Sequence, residues 1–133
     1  MPALDTNVLV RYIVRDDDAQ LHAAQTLIRQ CVASGQALFV PVTVLLELEW
    51  VLRSRYGFGK QEVIGTIAGL LSATELRFEA EQALEVALQM YRDGAADFAD
   101  GLHIAQATQA AELPVWTFDQ RAATLSGARL VGR

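Results

Sequence analysis

The chain has 133 residues, 52% hydrophobic and 20% charged, which suits one globular core and excludes a disordered chain. A formal net charge of −5 excludes binding of nucleic acid through a general basic surface, and a single cysteine, Cys31, excludes an internal disulfide. No apolar run reaches bilayer length and no leader-like segment opens the chain, so a cytoplasmic protein without membrane contact is expected.

Ala3 and Leu4 read as the end of a buried strand, with Asp5 projecting from its carboxyl end and Thr6 and Asn7 starting a helix. Ligands of open α/β sheets bind beyond the carboxyl ends of strands, which makes Asp5 the first candidate site residue. The competing reading is that Asp5 or Asn7 merely caps the helix. That helix runs to residue 14, and Asp16, Asp17 and Asp18 supply a break and a cap for the next. From 18 to about 34, Leu21, Ala24, Leu27, Ile28, Cys31 and Val32 share one face of an amphipathic helix. Ser34-Gly35-Gln36 stops it, and Leu38, Phe39 and Val40 before Pro41 form a short buried strand.

The segment 42–55 is apolar nearly all round, as in a helix covered on several sides and partly by a second subunit. Its two glutamates differ in their neighbours. Glu49 has Arg53 four residues on, the spacing of a surface ion pair, and reads as structural. Glu47 has Val51 there instead, and a carboxylate among apolar side chains needs another partner such as a metal, which makes Glu47 the second candidate.

Tyr56-Gly57-Phe58-Gly59 is a turn, 60–73 a further amphipathic helix, and 76–78 a strand. Residues 79–91 form a helix ended by Asp93-Gly94, with Ala83, Leu84, Val86, Ala87, Leu88 and Met90 turned inward. The stretch Asp97-Phe98-Ala99-Asp100-Gly101 opens an alanine-rich helix to about residue 111. Asp97 as N-cap with Asp100 as the N3 acid is the bland reading. Against it, Asp100 shares its face with Ile104, Ala107 and Ala111, and Gly101 beside it permits a close approach by another group. His22 and His103 read as surface histidines. Residues 113–118 form a strand ending at Asp119, which is either a cap for a short helix at 120–125 or a site acid, and 128–131 is the last strand.

Strands alternating with helices and no linker predict a single domain over 1–133 of α/β class: three layers, α/β/α, around a mostly parallel sheet. On that fold Asp5, Glu47, Asp100 and Asp119 converge, and such a cluster requires a compensating cation. All-oxygen donors favour Mg²⁺ or Mn²⁺, and an ion held by few carboxylates suits hydrolysis of a phosphodiester.

In their order, Leu4-Asp5-Thr6-Asn7-Val8-Leu9, Leu46-Glu47-Leu48, Asp97-Phe98-Ala99-Asp100 and Thr117-Phe118-Asp119 resemble the PIN-domain ribonucleases, most of all the VapC-type toxins of bacterial toxin–antitoxin pairs. The resemblance spans the whole chain. It implies a Mg²⁺-dependent endoribonuclease with Asp5, Glu47, Asp100 and Asp119 as its acidic centre and Asp97 at the edge. Thr6, Asn7 and Thr117 are implied as supporting hydrogen-bond residues. It further implies an RNA substrate, a homodimer, and a cognate antitoxin that blocks the site, often with an arginine. Two alternatives compete. A phosphotransfer domain needs a lysine beside the phosphoryl group, but Lys60, the only lysine, lies in a turn. A non-catalytic acidic α/β binding module explains the acids as caps but not their shared lack of basic partners.

Overall fold

The computed structural model describes residues 1–132, as two compact units, 1–79 and the described residues from 80 on. In the first, α1 (Thr6–Val14), α2 (Asp18–Ala33), β1 (Leu38–Val40), α3 (Val42–Ser54), α4 (Lys60–Leu71) and β2 (Leu76–Phe78) follow one another. Strands β1 and β2 pair in parallel, Leu38 opposite Leu76 and Val40 opposite Phe78, as the α3–α4 crossover demands. The strand expected at residues 3 and 4 is reduced to one parallel bridge, Ala3 to Phe39. It is fixed by Leu4 N–H donating to the Phe39 carbonyl and Phe39 N–H donating to that of Pro2, both at 2.8 Å. With all three extended pieces parallel, α1 and α3 both begin at the same carboxyl edge.

Each helix start has its own cause. Asp5 accepts a hydrogen bond from Thr6 N–H at 2.7 Å, and Asp17 accepts one from Gln20 N–H at 3.0 Å. Pro41 precedes α3 and offers no side-chain acceptor, so the cap comes from elsewhere: the Glu79 carboxylate, just past β2, accepts from Val42 N–H at 2.9 Å. Leu4, Leu9, Val10, Leu38, Val40, Leu45, Leu48 and Ile67 are among the buried residues of this unit.

The second unit holds α5 (Glu81–Asp93), α6 (Phe98–Gln109), β3 (Val115–Thr117), a single 3₁₀ turn (Ala122–Thr124) and β4 (Ala128–Leu130). Helices α5 and α6 lie against each other, with Gly101 close to Ala87 and Met90 and with Tyr91 edge-on to Phe98 at 6.1 Å, while Ala83, Leu84, Ala87, Leu88, Leu102 and Ala105 are buried. Strands β3 and β4 pair in parallel, Val115 with Ala128 and Thr117 with Leu130. Gly127, between the 3₁₀ turn and β4, has φ +95, and a Cβ there would stand 3.1 Å from the Ile104 Cγ2.

The class is α/β with parallel strand pairs, as expected from the sequence. Several local expectations change: Val32, expected on the apolar face of α2, is 53% exposed, and the helix expected at 79–91 spans Glu81–Asp93. Val86 faces outward at 46% exposure, and the last two residues expected in α6 lie beyond its end, Ala111 with φ 60. The larger change concerns α3. Glu49, read as a surface residue, is 1% exposed, whereas Glu47, read as buried among apolar neighbours, is exposed. A helix apolar on nearly every side gives the periodicity no phase, so the sequence alone does not say which glutamate turns inward.

Candidate active site

Asp5 is exposed at the carboxyl edge of the first strand pair. Its cap bond uses Oδ1 only, and an ionised carboxylate has about four acceptor sites, so the capping reading and the site reading are compatible. The next residue, Thr6, is buried, and its hydroxyl donates to Glu47 Oε1 in a short bond between α1 and α3. Thus the first residue of one helix orients a carboxylate on the second turn of another. Asp5, Thr6, Asn7 and Glu47 line one open cavity of about 410 Å³ together with Trp50, Arg55 and Tyr56.

In the second unit Asp100 lies on the first turn of α6, half-buried. Its carboxyl is pushed above the usual aspartate range, first by burial and then by the neighbouring charges of Asp119 and Asp97; a hydrogen bond from the Asp97 backbone acts in the opposite direction. Asp119, two residues past β3, accepts from Arg121 N–H at 2.7 Å and Ala122 N–H at 3.2 Å, both through Oδ1. The Thr117 hydroxyl in turn accepts from Asp119 N–H at 2.9 Å, which fixes the turn that presents the acid. Asp100 and Thr117 line a smaller cavity of about 90 Å³. Gly101 faces α5: a Cβ at that position would meet the Ala87 carbonyl and the Met90 side chain at 3.4 Å. The close approach expected beside Asp100 is therefore made by a neighbouring helix.

Within the first unit the structure brings Asp5, Thr6, Asn7 and Glu47 together, and within the second Asp97, Asp100, Thr117 and Asp119. Among the described residues no three acids, histidines or cysteines already stand as a metal cage. The donor chemistry nevertheless suits a hard cation. Among the described residues Asp5 and Asp119 each keep Oδ2 clear of protein donors, and a charge on Asp100 is disfavoured by its surroundings. Residues that sequence reasoning missed are Trp50, Arg55 and Tyr56 beside Glu47. The signal was present in helical spacing, since Trp50 stands three residues from Glu47 and so shares its face.

A curated relative from Aquifex aeolicus (strain VF5), named VapC ribonuclease, is 22% identical over 121 residues, which is 91% of this chain and 89% of that protein. The profile of the PIN domain matches residues 3–127, taking in Asp5, Glu47, Asp100 and Asp119 in one continuous span. A match across nearly the whole length, with the α/β class and parallel strands that the three-layer fold requires, places this chain in the PIN domain family.

Proposed function

We propose that this protein is a metal-dependent endoribonuclease and the toxin of a toxin–antitoxin pair. The observation that carries the reading is the paired presentation of acids. Each unit sets exposed or half-buried carboxylates at the carboxyl edge of a parallel strand pair, with a threonine hydroxyl bonded to Glu47 in one and to the Asp119 backbone in the other, and none of these acids is in an ion pair among the described residues. Family membership and the name of the Aquifex relative supply the substrate, RNA. Asp5, Glu47, Asp100 and Asp119 would together hold Mg²⁺, or Mn²⁺ in its place, with Asp97 at the edge. A bound divalent ion supplies Lewis acidity toward the phosphodiester and lowers the pKa of water. The chain's own part is to hold the carboxylates: Thr6 orients Glu47, the Thr117–Asp119 turn aims Asp119, and the burial that disfavours a bare charge on Asp100 would be offset by a bound cation.

The test is direct. RNA incubated with the protein and Mg²⁺ or Mn²⁺ is cut, EDTA stops cutting, and Asp5→Asn or Asp100→Asn abolishes it. Cleavage that survives EDTA overturns the mechanism. The reading extends to a homodimer in the cytoplasm and to a cognate antitoxin that covers the acids; no described helix is long and apolar enough to cross a membrane. Sedimentation as a monomer at micromolar concentration would contradict the dimer.

A further inference from the structure

One face of α3 carries more than Glu47. At helical spacing, Trp50 and Val51 follow on the same side one turn on, and Arg55, just past the helix end, stands two turns on, ~12 Å along the axis from Glu47. All four line the 410 Å³ cavity that Asp5 also lines. That volume lies within the range of roughly 300–1,000 Å³ typical of small-ligand sites. Trp50 is 52% exposed there, a large flat apolar surface left in water beside two carboxylates.

The arginines near this face are not equivalent. Arg53 is tied to Glu49. Arg11 donates to Asp16 at 2.7 Å and to the Tyr56 hydroxyl at 3.4 Å, which steadies the tyrosine on the cavity wall. Arg55 is exposed and makes no ion pair among the described residues, so its guanidinium fork is open to a ligand. An aromatic face, a free guanidinium and a pair of acids in one cavity fit a ligand with a π-face, a phosphate and an affinity for divalent cations. A nucleotide has all three.

We propose that this cavity seats one unpaired nucleotide of the RNA, its base stacked on Trp50 and its phosphate held by Arg55, next to the phosphodiester that is cut. The assignment rests on the nuclease reading and narrows it to single-stranded RNA. In a duplex each base face is already covered by its neighbours, whereas splayed bases stack on aromatic side chains without regard to sequence. Trp50 and Arg55 are binding residues, and the chemistry stays with the acids.

The experiment uses the full chain and two readouts. Wild-type cleavage of a short unstructured oligoribonucleotide in Mg²⁺ is measured first. Trp50→Ala then raises KM roughly 10- to 100-fold with little change in kcat, and Trp50→Tyr recovers most of the loss. Binding is read separately as tryptophan fluorescence quenching in an Asp100→Asn background, where no cleavage intervenes. The chain has two tryptophans, so the quench is assigned by variants: it persists in Trp116→Phe and disappears in Trp50→Phe. Arg55→Gln lowers the salt slope of binding by about 0.7, the share of one single-strand phosphate. Duplex RNA of the same sequence does not compete.

An unchanged KM in Trp50→Ala, or a quench that survives Trp50→Phe, overturns the proposal. So does a fall in sedimentation coefficient in Trp50→Ala, which would make Trp50 a contact between copies of the chain. Should the wild type bind with quenching but never cut, the nuclease reading fails while the nucleotide seat stands. Should it cut with Trp50 irrelevant, the reverse holds.

Discussion

At Asp100 burial and two neighbouring aspartates act in the same direction, against ionisation. The sign for stability follows. A carboxyl whose folded pKa lies above its unfolded value stabilises the fold in acid, and that contribution is lost as pH rises through the folded pKa. At neutral pH and without divalent ions Asp100 is therefore a liability. Asp100→Asn is expected to raise Tm in EDTA at neutral pH, with the advantage shrinking as pH falls toward about 4, where an ordinary aspartate is itself protonated. Mg²⁺ added to the wild type raises Tm and does so much less in the variant, because a ligand specific to the folded state stabilises it by mass action. Asp5 is a different case. Asp5→Asn keeps an oxygen for Thr6 N–H and leaves Tm nearly unchanged, whereas Asp5→Ala loses the cap as well and costs about 1 kcal/mol. Both are expected to abolish the proposed cleavage, so thermal melts separate capping from the proposed role in the site. The cap made by Asp5 and its exposure at a strand end were legible from sequence because both follow from residue type and position. Which of the two glutamates is buried was not, because a helix apolar on nearly every side has no phase to read, and the bond from Thr6 that orients Glu47 comes from 41 residues earlier.

Helix α3 holds Glu47 and Trp50 in place through two devices. Glu49 is 1% exposed and is matched by Arg53 one turn on, through two hydrogen bonds. Removing one partner of a buried pair strands the other, so Arg53→Met is expected to cost about 3 kcal/mol, and the double change Glu49→Leu with Arg53→Met to cost less, by urea denaturation. The second device is the carboxylate of Glu79 at the amino end of the helix. Glu79→Ala is expected to lower Tm by about 4 °C, the equivalent of a lost cap, and Glu79→Gln, which keeps an oxygen acceptor, to recover most of it. Helices were readable because their period of 3.6 repeats over several turns, and α1 and α2 begin where aspartates announce them. The three-residue strands were readable only through the glycine, proline and apolar residues at their borders. A cap supplied from 37 residues further along the chain has no local signature, and neither does the loss of a strand at residues 3 and 4 to a single bridge.

The PIN domain profile runs from residue 3 to residue 127, across the boundary between the two compact units, and a single domain over 1–133 is the expectation from sequence. One domain predicts one cooperative transition, with calorimetric and van't Hoff enthalpies equal; two separated transitions would divide it. A net charge of −5 predicts that RNA binding is weak without divalent ions and strengthens with them, since the acids that repel phosphate are those proposed to hold the cation. Glu79 is the last residue of the first unit, and its carboxylate reaches back to the start of α3, while Ala80 after it adopts a left-handed backbone with φ 57. Ownership of that one residue decides where the polypeptide tolerates a nick. A circular permutant or split reporter opened after Ala80 keeps the amino-terminal fragment's helix sealed, but one opened before Glu79 hands the seal to the wrong fragment and leaves the carrier of Glu47 fraying at its first turn.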